Sequence, residues 1–92
     1  MAKPSAGDSY SDEPDPDDLV AIFGANLKTA RMKAGMTQAQ LAEQSGLLQQ
    51  YVSLVESGKQ NVTLTTAQAL AKVVHQNVRT MLRRPTPRLR RT

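Results

Sequence analysis

The sequence contains no cysteine and no tryptophan, and only 3% of its 92 residues are aromatic. Without cysteine the chain forms neither disulfides nor a thiolate metal site, which suits a reducing cytoplasm. Ala, Leu, Val and Met supply most of the 39% apolar share, a mixture that favours helices over sheets. A chain of this length forms one small domain. We therefore predict an all-α fold in a single domain.

Long apolar runs are also absent, since none approaches the roughly 20 residues that span a bilayer. The N-terminus is acidic, unlike a secretion signal, so we expect a cytoplasmic protein with no membrane association. Catalytic side chains are scarce as well, because residues 19–83 contain one histidine and two carboxylates. Catalytic and metal sites need more such groups. We predict no enzyme activity, no metal and no cofactor.

Charge is unevenly distributed along the chain. Residues 1–18 contain one lysine and six carboxylates, a net charge of −5, whereas residues 19–92 contain eleven basic residues and two carboxylates, a net charge of +9. We predict a disordered acidic tail over 1–18, a domain over 19–83 and a flexible basic tail over 84–92, which holds two prolines and several arginines. The positive charge favours a polyanion such as nucleic acid, although charge alone fits an unpartnered solvated surface equally well.

Apolar residues between the tails recur at helical spacing and are interrupted by helix start and stop signals. Five short helices are predicted. They run from Asp17 or Asp18 to Gly35, from Thr37 to Gly46, from Gln49 to Ser57, from Thr65 or Thr66 through Val74, and from Asn77 onward. Leu64 is expected to pack just ahead of the fourth helix. The second and third are too short to be stable alone, so they must fold as a unit.

The segment that joins the second and third helices carries a specific pattern. Gly46 tolerates the positive φ that a tight corner requires, and Ala42 is small enough to lie where the helices cross. The spacing Gln38-x-x-Leu41-Ala42-x-x-x-Gly46-Leu47-x-x-x-x-Val52-x-x-Val55 resembles the helix-turn-helix of the Xre-like regulators, which include phage repressor and Cro proteins. The resemblance covers residues 22–82 and extends to Phe23-Gly24, Leu27, Arg31, Gly35, Thr37, Glu56-x-Gly58-Lys59, Leu64, Thr66, Leu70-Ala71 and Val74.

The resemblance implies a compact five-helix, phage-repressor-like DNA-binding domain whose third helix lies in the major groove. Gln49 and Gln50 match base-reading positions, and their amides suit the N7 and N6 groups of adenine. Gln38, at the start of the second helix, matches a phosphate-contacting glutamine. Leu54 matches a position that can touch a thymine methyl group.

Four further residues match positions that contact the DNA backbone. Tyr51 and Ser53 are expected to meet sugar and phosphate, and Lys59 and Asn61 to grip the backbone from the loop after the third helix. Without the resemblance, Ser53 and the two glutamines would fit an ordinary solvated helix face. The predicted DNA-binding residues are Gln38, Gln49, Gln50, Tyr51, Ser53, Leu54, Lys59 and Asn61.

The family also implies a homodimer on a near-palindromic operator, with repression as the expected outcome and an internal ion pair between Arg31 and Glu56. The dimer contact is expected at Val78, Met81 and Leu82. An alternative is an antitoxin that binds a toxin protein and regulates its own operon, because charged tails can fold on a partner. A restriction-modification controller protein is a further possibility at this size.

Three residues depart from the family pattern. Leu48 stands where a serine or threonine usually caps the third helix, so that cap is expected to come from elsewhere or from water. His75 stands where glycine usually ends the fourth helix, and we interpret it as a helix stop and not as a ligand. Gln76 replaces an apolar residue between the fourth and fifth helices, which predicts a looser fifth helix.

Overall fold

Short polar residues cap four of the five helices found in the described part of the chain. The structure, a computed structural model, describes residues 18–84 and contains α1 (Leu19–Lys33), α2 (Gln38–Ser45), α3 (Gln49–Glu56), α4 (Leu64–Val73) and α5 (Val78–Met81), with no strand among these residues. The side chains of Asp18, Thr37, Thr63 and Asn77 each accept a hydrogen bond from the backbone N–H three residues later. Such caps satisfy donors that have no partner inside the helix. The predicted all-α fold of five helices is confirmed.

All five helices contribute to one hydrophobic core. The large side chains that are almost completely buried are Phe23 and Leu27 from α1, Leu41 from α2, Val52 and Val55 from α3, Leu70 from α4 and Met81 from α5. Burying a side chain of this size stabilises the fold by about 1.5–3 kcal/mol. In α3 the only other buried residue is Glu56. One side of α3 is therefore fixed in the core while the other side stays outside it.

The backbones of α1 and α3 meet at Gly24. A Cβ atom at this position would overlap the carbonyl oxygen of Val55 and would lie 3.2 Å from the carbonyl oxygen of Glu56. Because any other residue brings a Cβ atom, glycine alone permits this distance between the two helices. The last turn of α3 therefore rests directly on the backbone of α1.

Asn26 attaches the short helix α5 to α1. Its side-chain Nδ2 donates hydrogen bonds to the carbonyl oxygens of Met81, at 2.7 Å, and Arg83, at 2.8 Å. Carbonyls in the last turn of a helix have no partner within it, so the amide supplies a missing donor to Met81 and also holds Arg83, just beyond the helix. Before α5 the chain reverses at His75, whose φ of 64° is uncommon for a residue other than glycine. The predicted helix stop at His75 is confirmed.

Two predictions for the C-terminal half are wrong, those for Leu64 and Met81. Helix α4, predicted to start near Thr65 or Thr66, begins at Leu64, because the hydroxyl of Thr63 provides the cap. Leu64 consequently lies in the first turn and is 74% exposed, so it does not pack ahead of the helix. Met81, expected at a dimer contact, is buried in the core, because the single turn of α5 packs that side chain among the other helices.

The two predicted tails, 1–18 and 84–92, lie outside the described residues apart from Asp18 and Arg84. Within residues 18–84, no helix is long and apolar enough to cross a membrane.

Candidate nucleic-acid interface

The corner between α2 and α3 is a tight turn closed by backbone hydrogen bonds. Gly46 adopts a φ of 74°, and the backbone N–H of Leu47 donates to the carbonyl oxygen of Ala42 at 2.9 Å. Ala42 is buried where the two helices meet. At the other end of α2, the hydroxyl of Thr37 and the side chain of Gln40 form a reciprocal capping box. The predicted corner is present, and together with the capping box it holds α2 and α3 as one rigid unit.

Glu56 is the centre of a polar network that joins α1, α2 and α3. Its carboxylate accepts hydrogen bonds from Arg31, with Nε at 2.6 Å and Nη2 at 3.1 Å, and from Nε2 of Gln38 at 3.0 Å. The remaining arm of Arg31 donates to the carbonyl oxygen of Met36 at 2.7 Å. The Arg31 and Glu56 side chains are 11% and 3% exposed, so water screens the pair only weakly. The ion pair that the family implies is therefore present, and it fixes the angle at which α3 leaves the core.

Gln38 has a partner that the sequence did not predict. One N–H of its amide is directed to Glu56, and the side chain is half-buried at the first turn of α2. A glutamine amide has two N–H donors, so the second is available for an anion in front of the helix. Because residues 38 and 56 are far apart in sequence, only the folded arrangement reveals this bond.

The first turn of α3 presents its polar side chains to solvent. Gln49 and Gln50 are both exposed, whereas Ser53 and Leu54, in the second turn, are half-buried. Leu48 occupies the N-cap position, is 77% exposed and makes no side-chain hydrogen bond to the helix. As predicted, no serine or threonine occupies this position, and Leu48 offers no acceptor to the first N–H groups of α3. Two primary amides and one leucine form the outermost tip of the helix.

Tyr51 connects α3 to the loop that follows it. Its hydroxyl donates a hydrogen bond to the carbonyl oxygen of Asn61 at 3.3 Å. In the same loop the backbone N–H of Lys59 donates to the carbonyl oxygen of Leu54 at 2.9 Å, while the Lys59 side chain is exposed. Lys59 and Asn61 are thereby held in a fixed position relative to α3, which is required if a helix and a loop are to contact one duplex together.

The described part of the chain is strongly basic. Residues 18–84 contain eight lysines and arginines but only three carboxylates, a net charge of +5. One carboxylate, Glu56, is buried against Arg31, and a second, Asp18, caps α1. Glu43 is the one that remains exposed without such a role among these residues. No group of His, Asp and Glu within 18–84 is arranged to hold a metal ion. The surface is suited to a polyanion.

Comparison with known proteins gives one consistent result. A family model described as Helix-turn-helix matches residues 27–75. The control protein C.SmaI of Serratia marcescens is 39% identical over 67 residues, which cover 73% of this chain and 80% of that protein. The crystal structure of the hypothetical transcription factor NHTF from Neisseria superposes with a TM-score of 0.74 at 32% identity and covers 83% of this chain and 87% of that one.

One of the similar solved structures contains DNA. The structure of the restriction-modification controller protein C.Esp1396I, a tetramer in complex with its natural 35-base-pair operator, superposes with a TM-score of 0.63 at 27% identity. It covers 68% of this chain and 83% of that chain.

Proposed function

The chain belongs to the Xre-like helix-turn-helix family of DNA-binding transcriptional regulators, and we propose that it binds a near-palindromic operator as a homodimer and represses transcription there. In this proposal two copies insert their α3 helices into successive major grooves about 34–36 Å apart. A protein bound in this way prevents polymerase from using an overlapping promoter.

One observation carries the proposal: the exposed amides of Gln49 and Gln50 on the first turn of α3. The side of α3 that carries Val52, Val55 and Glu56 is buried, so the helix cannot rotate to hide the amides. A glutamine amide can donate to N7 of adenine and accept from its N6 amino group at the same time. The two glutamines are thus the proposed base readers.

The remaining contacts are proposed to position the protein on the DNA backbone. Gln38 offers its second N–H to a phosphate while Glu56 holds the first. Tyr51 keeps the loop close to the helix, so that Lys59 and Asn61 meet a phosphate on the same strand. Ser53 and Leu54 are half-buried and contribute only through their outer atoms, Leu54 toward a thymine methyl.

Dimerisation is proposed at an apolar groove beside α5. Leu19, Leu64, Val78 and Leu82 line it, and the first two are more than half exposed. Val78 and Leu82 belong to the originally predicted contact, whereas Met81 is excluded because it lies in the core. The operator-bound tetramer of C.Esp1396I supports association of more than one copy on DNA. Light scattering tests this, and a strictly monomeric mass at high concentration would contradict it.

Selection of bound duplexes from a random pool tests the base readers. The wild type is expected to enrich a near-palindromic motif, and Gln50→Ala to relax preference at one base pair of each half-site while non-specific affinity stays within about twofold. Gln68→Ala, an equally polar and exposed change on α4, is the matched control and should return the wild-type motif. If Gln50→Ala also returns it, Gln50 does not read bases.

A control protein of a restriction-modification system is a second candidate, favoured by the similarity to the restriction-modification controller protein C.Esp1396I. Bound fragments recovered from the genomic DNA of the host distinguish the two. Fragments beside restriction and methyltransferase genes support the controller, and fragments beside other genes support a different regulator. The antitoxin alternative is not supported by the similar proteins, which include a control protein and a transcription factor.

A further inference from the structure

Leu48 is the most exposed large apolar side chain among the described residues, and it lies at the tip of the helix that meets DNA. It is 77% exposed and occupies the N-cap position of α3. At this position serine, threonine, aspartate or asparagine normally accepts a hydrogen bond from the second or third helical N–H. Leucine cannot accept one, so the start of α3 is less stable than it would be with serine. The same side chain also orders water around its exposed surface.

Nothing within residues 18–84 compensates for these two costs. Leu48 is absent from the hydrophobic core and from the partly buried residues packed around it. Its neighbours along the chain, Gln49 and Gln50, are exposed and polar. The described part of the chain leaves this side chain exposed, and a molecule that covers the tip of α3 would bury it.

The position of Leu48 identifies that molecule. In a helix-turn-helix, the second helix of the motif contacts base edges in the major groove through its N-terminal residues. In this protein that helix is α3. The only apolar group that a base edge presents there is the C5 methyl of thymine. We propose that Leu48 packs against a thymine methyl group next to the bases read by Gln49 and Gln50, and thereby specifies a thymine in each half-site. The inference rests on the proposed DNA-binding function, and it specifies one additional base in each half-site of the operator.

Substitution of single thymines by uracil tests this contact, because uracil lacks only the methyl group. With the selected operator, wild type is expected to lose about fourfold in affinity per half-site at the thymine next to the bases read by Gln49 and Gln50, which corresponds to about 0.8 kcal/mol for one buried methyl group. In Leu48→Ala the thymine operator binds more weakly, and uracil at that position causes no further loss. Met32→Ala, which removes another exposed apolar side chain from α1, should keep the wild-type response to uracil.

Leu48→Ser separates the contact from a general effect on folding. Serine restores an N-cap, so Tm should rise by about 4–8 °C, while affinity for the operator falls and the response to uracil disappears. Opposite changes in stability and affinity cannot come from a damaged fold.

Three results contradict the inference or its premise in distinguishable ways. If wild type enriches no DNA sequence, the proposed function itself fails. If it binds a specific operator but Leu48→Ala retains the fourfold uracil effect, the function stands and the Leu48 contact is wrong. If the effect at this same thymine disappears in Leu54→Ala and persists in Leu48→Ala, its methyl group belongs to Leu54 and the inference is again wrong.

Discussion

Replacement of Gly24 by alanine tests whether the close approach of α1 and α3 determines the position of the DNA-binding helix. Two contributions of opposite sign are expected. Alanine is the better helix former by about 1 kcal/mol in the interior of a helix. The added Cβ overlaps the carbonyl oxygen of Val55, and overpacking of a close-packed contact costs about 1–3 kcal/mol. We expect an overpacking cost in the upper part of this range, because a backbone oxygen cannot rotate away from the added Cβ atom as a flexible side chain can.

The expected net result for Gly24→Ala is a loss of about 1–2 kcal/mol in the free energy of unfolding, or about 5–15 °C in Tm. Urea unfolding followed by circular dichroism measures it. Ala25→Gly, at the next and exposed position of α1, is the control and should lose about 1 kcal/mol through helix propensity alone. If Gly24→Ala becomes more stable than wild type, propensity outweighs the contact and the reasoning is wrong.

The same substitution also has a functional readout. Because the overlapping oxygen belongs to the last turn of α3, the strain is relieved by a shift of α3 away from α1. Operator affinity of Gly24→Ala, measured where the protein is fully folded, should therefore fall, whereas Ala25→Gly should bind as wild type does. Unchanged affinity would show that α3 tolerates the shift.

Three further predictions concern contacts within the domain, each measured as the free energy of unfolding. Glu56→Gln leaves the buried guanidinium of Arg31 without its charge partner and should cost about 3 kcal/mol, whereas the exposed Glu43→Gln should change stability by less than about 0.5 kcal/mol. His75→Gly relieves a positive φ and should stabilise by about 0.5–1 kcal/mol; an equal gain in His75→Ala would contradict a backbone origin. Asn26→Ala removes the donor from the carbonyls of Met81, in α5, and of Arg83, just beyond it. It should cost about 1–3 kcal/mol, with amide exchange accelerated chiefly in α5.

Local signals in the sequence were sufficient for most helix boundaries. The predicted starts of α1, at Asp17 or Asp18, of α2, at Thr37, and of α5, near Asn77, agree with the observed N-caps Asp18, Thr37 and Asn77. The start of α4 was misplaced because three threonines lie within four residues, and each of them can act as a cap. Thr63 is the one that accepts the bond from Thr66, a choice that propensity does not determine.

Contacts between distant segments were predicted only in part. The family pattern gave the Arg31–Glu56 pair, but not the third partner, Gln38, because that bond depends on the angle between α2 and α3. The helical period of α3 predicts that Gln49, Gln50, Ser53 and Leu54 face outward. The two glutamines are exposed, whereas Ser53 and Leu54 are half-buried. The same kind of pattern does not identify the buried side of α5, because a single turn contains too few residues to show a helical period. Met81 was therefore misassigned to the dimer contact.

The length of α3 limits how much sequence information one copy of the protein can read. Its eight residues span about 12 Å, and at about 3.4 Å per base pair that length faces roughly four base pairs. A four-base-pair word occurs by chance about once in 256 positions, whereas a genome offers at least about 10⁶ competing sites. Two copies reading together reduce the chance matches to roughly one in 65,000. The number of copies assembled on the DNA, more than the quality of any single contact, therefore determines how rare a fully matched site is.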